Sequence, residues 1–160
     1  GFMGIHLCAE LAQLEAVREV VCLVNSDSIE PAQYLANAAS HYGVATSSKW
    51  RVVQGNLALP NFGLIESDFL SLSNTVDSVW HLGAAMRWNQ SYDALRATNV
   101  LGTLEVLRFC LAGKKTKPLV FTGTMSARSS SEPVSRQLIS EMAAHGYACS
   151  KLVAESLVEK

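Results

Sequence analysis

The sequence predicts an α/β domain built on a doubly wound parallel sheet. Short aliphatic runs alternate with helical segments along the whole chain. The first of them, Glu19 to Val24, is a continuous aliphatic run without apolar-polar alternation, as expected of a strand buried on both faces. The chain of 160 residues is 49% hydrophobic with a formal charge of −1, which suits one domain over residues 1–160 with a real core.

In order, Phe2 to Ala16 carries apolar residues at helical spacing, and Glu19 to Val24 is a continuous aliphatic run closed by Asn25-Ser-Asp, hence a strand. Pro31 to Tyr42 reads as helix, with proline at its start. Trp50 to Gln54 is a short strand ended by Gly55-Asn56, Glu66 to Ser73 a short helix, and Asp77 to His81 a strand ending near Gly83. Ala94 to Ala112 gives one long helix, Pro118 to Thr122 a fourth strand, and Ala143 to Lys160 a final helix. Ser126 to Ser135 is Ser-rich and polar, a loop over the carboxyl edge of the sheet. The sequence contains neither an internal repeat nor a low-complexity segment.

The charge balance gives no reason to expect nucleic acid or a charged membrane surface as partner. The longest apolar runs are strand-sized and no charged-then-apolar leader precedes Gly1, so neither a spanning helix nor a signal peptide is expected and the location reads as cytoplasmic. Cys8, Cys22, Cys110 and Cys149 are scattered and read as reduced packing residues. His6, His41 and His145 lack partners at ligand spacing, so no metal site is expected.

Tyr147 and Lys151 lie one helical turn apart, so phenol and ammonium share a face. A tyrosine of pKa about 10 becomes better acid-base equipment beside a fixed cation that lowers that value. The opening Gly1-Phe-Met-Gly4 runs into a helix and looks like the back half of a phosphate turn, where glycine lets backbone approach a pyrophosphate. His81 reads as a satisfied core histidine. Met86-Arg87-Trp88 is either the passage for a substrate arm or a loop with one buried Trp, and Lys114 to Lys117 reads as a solvated turn.

Gly1-Phe-Met-Gly-Ile-His-Leu7, Val21-Cys-Leu-Val24, Arg51-Val-Val-Gln-Gly-Asn-Leu57, Phe62-Gly-Leu64, Val79-Trp-His-Leu-Gly-Ala84, Asn99-Val-Leu-Gly-Thr103, Val120-Phe-Thr-Gly-Thr124 and Gly146-Tyr-Ala-Cys-Ser-Lys151 follow one another as in extended short-chain dehydrogenase/reductases. The chain most resembles the thioester reductase domains of non-ribosomal peptide and polyketide synthases, with relatives in carboxylic acid and aminoadipate reductases. The resemblance implies a Rossmann-like fold, NADPH as cofactor with NADH open, and a phosphopantetheinyl carrier-protein domain as partner. It implies a catalytic trio of Thr124, Tyr147 and Lys151, in which Lys151 also holds the nicotinamide ribose. It places Gly1, Phe2, Gly4, Asn25, Asn56, Leu57, Gly83 and Ala84 beside the cofactor, with Tyr147 and Lys151. Thr122 and Ser126 are neighbouring candidates for the role of Thr124, and Asn99 matches a helix asparagine whose role is more structural than chemical.

Two positions depart from the family pattern. Where NADPH users carry arginine after the second strand, this chain has Asn25, with Asp27 two residues on, and the usual Gly-Asp-Leu is Gly55-Asn56-Leu57. These departures leave room for two alternatives to reductive thioester release: a Dieckmann-type cyclisation domain and a non-catalytic interaction module. By the same comparison a leading strand and a C-terminal substrate subdomain are expected beyond the 160 residues, which alone are expected to be inactive.

Overall fold

The computed structural model describes residues 1–26, 28–125 and 145–159. Contacts divide the chain into two compact units, Gly1–Asn56 and Leu57–Lys160. The predicted Ser126 to Ser135 loop, Asp27 and the first residues of the predicted last helix lie outside the described residues.

The first unit comprises helix α1 (Phe2–Gln13), strand β1 (Val20–Val24), helix α2 (Pro31–His41) and strand β2 (Trp50–Gln54). β1 and β2 pair in parallel, from Val20 opposite Trp50 to Val24 opposite Gln54. Val20, Cys22 and Val24 are buried and pack with Cys8 and Leu11 of α1 and Leu35 of α2, whereas Leu23 on the opposite face is exposed, so β1 is covered on one face and not on both as the aliphatic run led one to expect. The Trp50 indole N–H donates to the Cys8 carbonyl at 3.0 Å, which ties α1 to β2. α2 begins where expected: Pro31 fills its first turn and the Glu30 carboxylate accepts from the Gln33 amide at 3.0 Å. α1 stops at Gln13, short of the expected Ala16, because Leu14 is extended.

The second unit opens with a tight turn, Pro60–Gly63, and continues as α3 (Glu66–Thr75), β3 (Val79–His81), α4 (Tyr92–Arg96), α5 (Gly102–Leu111), β4 (Leu119–Phe121) and α6 (Gly146–Val158). β3 and β4 are parallel, with Val79, Trp80 and His81 opposite Leu119, Val120 and Phe121. Phe62, Phe69, Val106, Phe109 and Cys110 form the core. Phe62 is buried there although its φ is 59°, a left-handed conformation unusual for a bulky residue. The neighbouring Asn61 N–H, donating to the Glu105 carboxylate at 2.9 Å, helps to hold the turn.

Two expectations need correction. The predicted Ala94 to Ala112 helix is not regular: between α4 and α5 the backbone takes a wide π-helical turn over Ala97–Leu101, closed by the Gly102 N–H on the Ala97 carbonyl. A Cβ on Gly102 would lie 2.8 Å from the Leu57 carbonyl oxygen, so only glycine fits beside that backbone. Secondly, Lys117 is not in a solvated turn but buried, at 3% exposure. Its ammonium donates to Ser73 Oγ at 3.0 Å and to the carbonyls of Phe109, Ala112 and Lys115. The open carbonyls at the end of α5 supply the acceptors that allow this cation to be buried. No helix among the described residues is long and apolar enough to cross a membrane.

Candidate active site

α6 carries the pair singled out in the sequence. Tyr147 is 7% exposed and Lys151 4%, one turn apart on the helix. The helix can come this close to its neighbour because residue 146 lacks a side chain: a Cβ there would collide with the Gln90 carbonyl and lie 2.5 Å from the Ser91 carbonyl carbon. The N-terminus of α6 is thus seated on the start of α4, where Ser91 caps with its hydroxyl the amide of Ala94.

Asn99, inside the wide turn, links the same pieces. Its Oδ1 accepts from the Ala85 N–H at 2.7 Å, and its Nδ2 donates to the Ala85 carbonyl at 3.2 Å and to Ser150 Oγ at 2.9 Å. Ser150 in turn donates to the carbonyl of Tyr147 at 2.8 Å. The buried amide therefore uses its donors and acceptor fully and fixes the residue after Gly83 and Ala84 against the turn bearing Tyr147. Asn99, 1% exposed, is a positioning residue.

The Lys151 ammonium stands 4.1 Å from the centroid of the Phe121 ring, at the end of β4. Burial pushes its pKa down, while the nearby Glu155 carboxylate pulls it up. Burial pushes the Tyr147 phenol above its ordinary value. That is opposite to the lowering expected from the neighbouring lysine, because the phenol loses solvation on burial. Tyr147 is consequently a protonated donor throughout the neutral range. Thr124, half-buried, follows Gly123, whose Cα faces the Glu155 carboxylate of α6. The segment after β4 thus meets α6 at Glu155, one turn beyond Lys151.

His81 is buried and its pKa is pushed down to about 4, by burial first and by Lys151 second. The Thr103 hydroxyl donates to the Asn99 carbonyl at 2.7 Å, so His81 Nε2, 3.0 Å away, carries the hydrogen it donates to Thr103. This satisfied core histidine has a pH consequence. The unfolded chain, with a histidine pKa of about 6.5, binds a proton that the folded chain refuses, so stability is lost as pH falls from 6.5 toward 4. Denaturant titrations of the full-length protein at pH 7.5 and pH 5 are expected to differ by about 2 kcal/mol from this residue, and His81→Gln is expected to remove most of that difference.

The residues assigned to the nucleotide fall in both units. In the first, Gly1 caps α1, and apart from the helix's own backbone and the adjoining residues no described residue lies within 4 Å of a Cβ built on Gly1 or Gly4. Phe2 is 61% exposed beside them. Asn25 and Asn56 follow β1 and β2, and Gly55 N–H on the Val24 carbonyl at 2.9 Å continues the pairing between them. A helix start with open space at its glycines and two amides at the carboxyl edge suit a dinucleotide's phosphate and adenosine. In the second unit, Leu57 packs under Gly83, whose Cβ would stand 2.5 Å from its Cδ1, so Leu57 supports that backbone from below.

One contact was not legible in the sequence. The Trp88 ring leans on Tyr147, with centroids 4.7 Å apart and planes at 57°, while Trp88 itself is 66% exposed. It is therefore neither a buried loop Trp nor an isolated one.

The family described as male sterility protein, an NAD-binding family, matches residues 1–160. Among curated proteins, the large subunit of L-2-aminoadipate reductase from Penicillium chrysogenum is 36% identical over 132 residues, 79% of this chain and 9% of that protein. A linear gramicidin synthase from Brevibacillus parabrevis is 33% identical over 170 residues, 99% of this chain and 3% of that protein. Among solved structures, the terminal R domain from the myxalamid PKS-NRPS biosynthetic pathway superposes with a TM-score of 0.85 at 32% identity, covering 99% of this chain and 42% of that domain. The chain thus spans less than half of that domain and a small part of the two curated relatives.

Proposed function

This chain belongs to the NAD-binding family described as male sterility protein, of the extended short-chain dehydrogenase/reductase type, and from that premise we propose that it is the nucleotide-binding part of a thioester reductase. Its substrate in this reading is an acyl or peptidyl group on the phosphopantetheine of a carrier-protein domain. The observation that carries the proposal is the burial of Tyr147 and Lys151 on one helix, with the phenol kept protonated.

When bound, the nicotinamide cofactor supplies hydride to the thioester carbonyl carbon. Thr124 donates a hydrogen bond to the carbonyl oxygen as charge develops there, and Tyr147 delivers its phenolic proton to that oxygen. Lys151 holds the ribose hydroxyls and stabilises the phenolate that remains. The thiohemiacetal then expels the carrier thiol and leaves an aldehyde, which a second round would convert to an alcohol. Gly1, Phe2 and Gly4 would hold the pyrophosphate, Asn25 and Asn56 the adenosine, and Gly83 and Ala84 would border the cofactor, with Leu57 supporting their backbone. All 160 residues serve as one nucleotide-binding domain in this reading.

Titration of the full-length protein with NADPH and NADH, followed by single-turnover cofactor oxidation with an acyl-pantetheine thioester, tests the proposal. Binding of one nucleotide and its stoichiometric oxidation are expected. Product release with neither would establish the Dieckmann-type cyclase instead, and the absence of both binding and turnover would leave an interaction module.

Cofactor preference offers a separate prediction. Asn25 is exposed at the end of β1, and a neutral amide cannot make the two charge-assisted hydrogen bonds that a guanidinium gives a 2′-phosphate. The preference for NADPH is expected to be small, and Asn25→Arg to raise the NADPH-over-NADH affinity ratio by about tenfold, or 1–2 kcal/mol. Dissociation constants for the two nucleotides measure it.

A further inference from the structure

The loop between β3 and α4 is pinned at both ends. Ala85 is held by both edges of the Asn99 amide, and Gln90 to Tyr92 lie against the bare Cα of Gly146. Between these clamps the Gln90 N–H closes a turn on the Arg87 carbonyl at 3.2 Å. Trp88 within this turn and Met86 just before it are large apolar side chains, each 66% exposed. Such exposure is unusual for a tryptophan on a restrained turn, because the indole gives up its most favourable burial. One part of the indole rests on Tyr147 and the remainder is open.

We propose that Trp88, two residues along the same loop from Met86, is the platform on which the acyl chain of the substrate lies during reduction. This rests on the thioester reductase reading and adds to it the substrate class, an acyl group with an apolar chain next to the carbonyl. The carbonyl oxygen must come to the Tyr147 hydroxyl, and the carbonyl carbon bears only two other substituents, the sulfur of the pantetheine arm and the acyl carbon. The arm is rich in amides that need hydrogen-bonding partners, whereas the indole body and the Met86 thioether offer apolar and polarizable surface. The acyl carbon is therefore the substituent that gains by lying on Trp88, and it does so within a ring's width of the proton donor. The anchored turn also means that the indole is in place before the substrate arrives, so less ordering is needed on binding.

The test compares the full-length wild type with Trp88→Ala and Trp88→Phe, using the N-acetylcysteamine thioesters of octanoic and acetic acid. In kcat/KM the alanine variant is expected to lose about tenfold more on the octanoyl than on the acetyl substrate, mainly through KM, with the phenylalanine variant recovering most of the difference. Equal losses on both thioesters would show that Trp88 only braces Tyr147 and would overturn the proposal, as would no loss on either. A second measurement needs no turnover. Octanoyl thioester is expected to quench tryptophan emission of the wild type in a saturable way, and Trp88→Phe to abolish that quench. Quenching without cofactor oxidation would refute the reductase reading while leaving the acyl platform standing; loss of quench specificity for Trp88 would refute the platform.

Discussion

Tyr147→Phe is expected to cut single-turnover thioester reduction by about 10²–10⁴-fold, the usual worth of a positioned general acid. The contacts that seat Tyr147 among the described residues do not use its hydroxyl: the ring leans on Trp88, and the backbone carbonyl receives the Ser150 hydroxyl, so both survive in phenylalanine. Fold and nucleotide affinity should stay near those of the wild type, which separates lost chemistry from lost structure. Because burial raises the phenol's pKa, the wild-type rate should also hold across neutral pH and decline only on the alkaline side. Activity of the variant within a few-fold of wild type would remove Tyr147 from the mechanism.

Gly146→Ala is expected to destabilise the full-length protein by about 3 kcal/mol or more, a large effect for one methyl group. The atoms in its way are all backbone, the Gln90 oxygen, the Ser91 carbonyl carbon and the Tyr92 nitrogen at 2.6 Å, so no side chain can rotate to make room. α6 and the start of α4 would have to separate, which would withdraw Tyr147 and Lys151 from the end of β4. Thermal melting and reductase activity should therefore fall together. A variant that melts like the wild type would mean that the two helices are not held as closely as described.

The sequence made the alternating elements legible because each strand is a compact aliphatic run and each helix has a periodic face; β1, β2 and α2 fall within a residue or two of their predicted limits. Tyr147 and Lys151 were legible for a local reason, since helical spacing alone puts them together. What escaped notice depends on partners distant in sequence. Lys117 looked like one more surface lysine, and only the carbonyls of the preceding helix end explain its burial. Trp88 meets Tyr147 through tertiary packing that no spacing rule encodes. The direction of the tyrosine's pKa has the same origin, since a neighbouring charge is read from spacing but desolvation is not. Gly146, directly before the tyrosine, was a signal available for the close approach of two helices.

The wide turn at Ala97–Leu101 sets the phase of the helical rod that contains it. A π turn accommodates one more residue than the regular pitch would, so residues before and after it are rotated by about 100° relative to an uninterrupted helix. Upstream, Leu95 is packed at 1% exposure; downstream, Val106, Phe109 and Cys110 face the core. Each set is correct only with the extra residue between them. Deleting one residue in this stretch would restore ideal pitch and every backbone hydrogen bond, yet it would swing Leu95 and the capping Ser91 off their faces. In this rod a more regular helix is the damaged one.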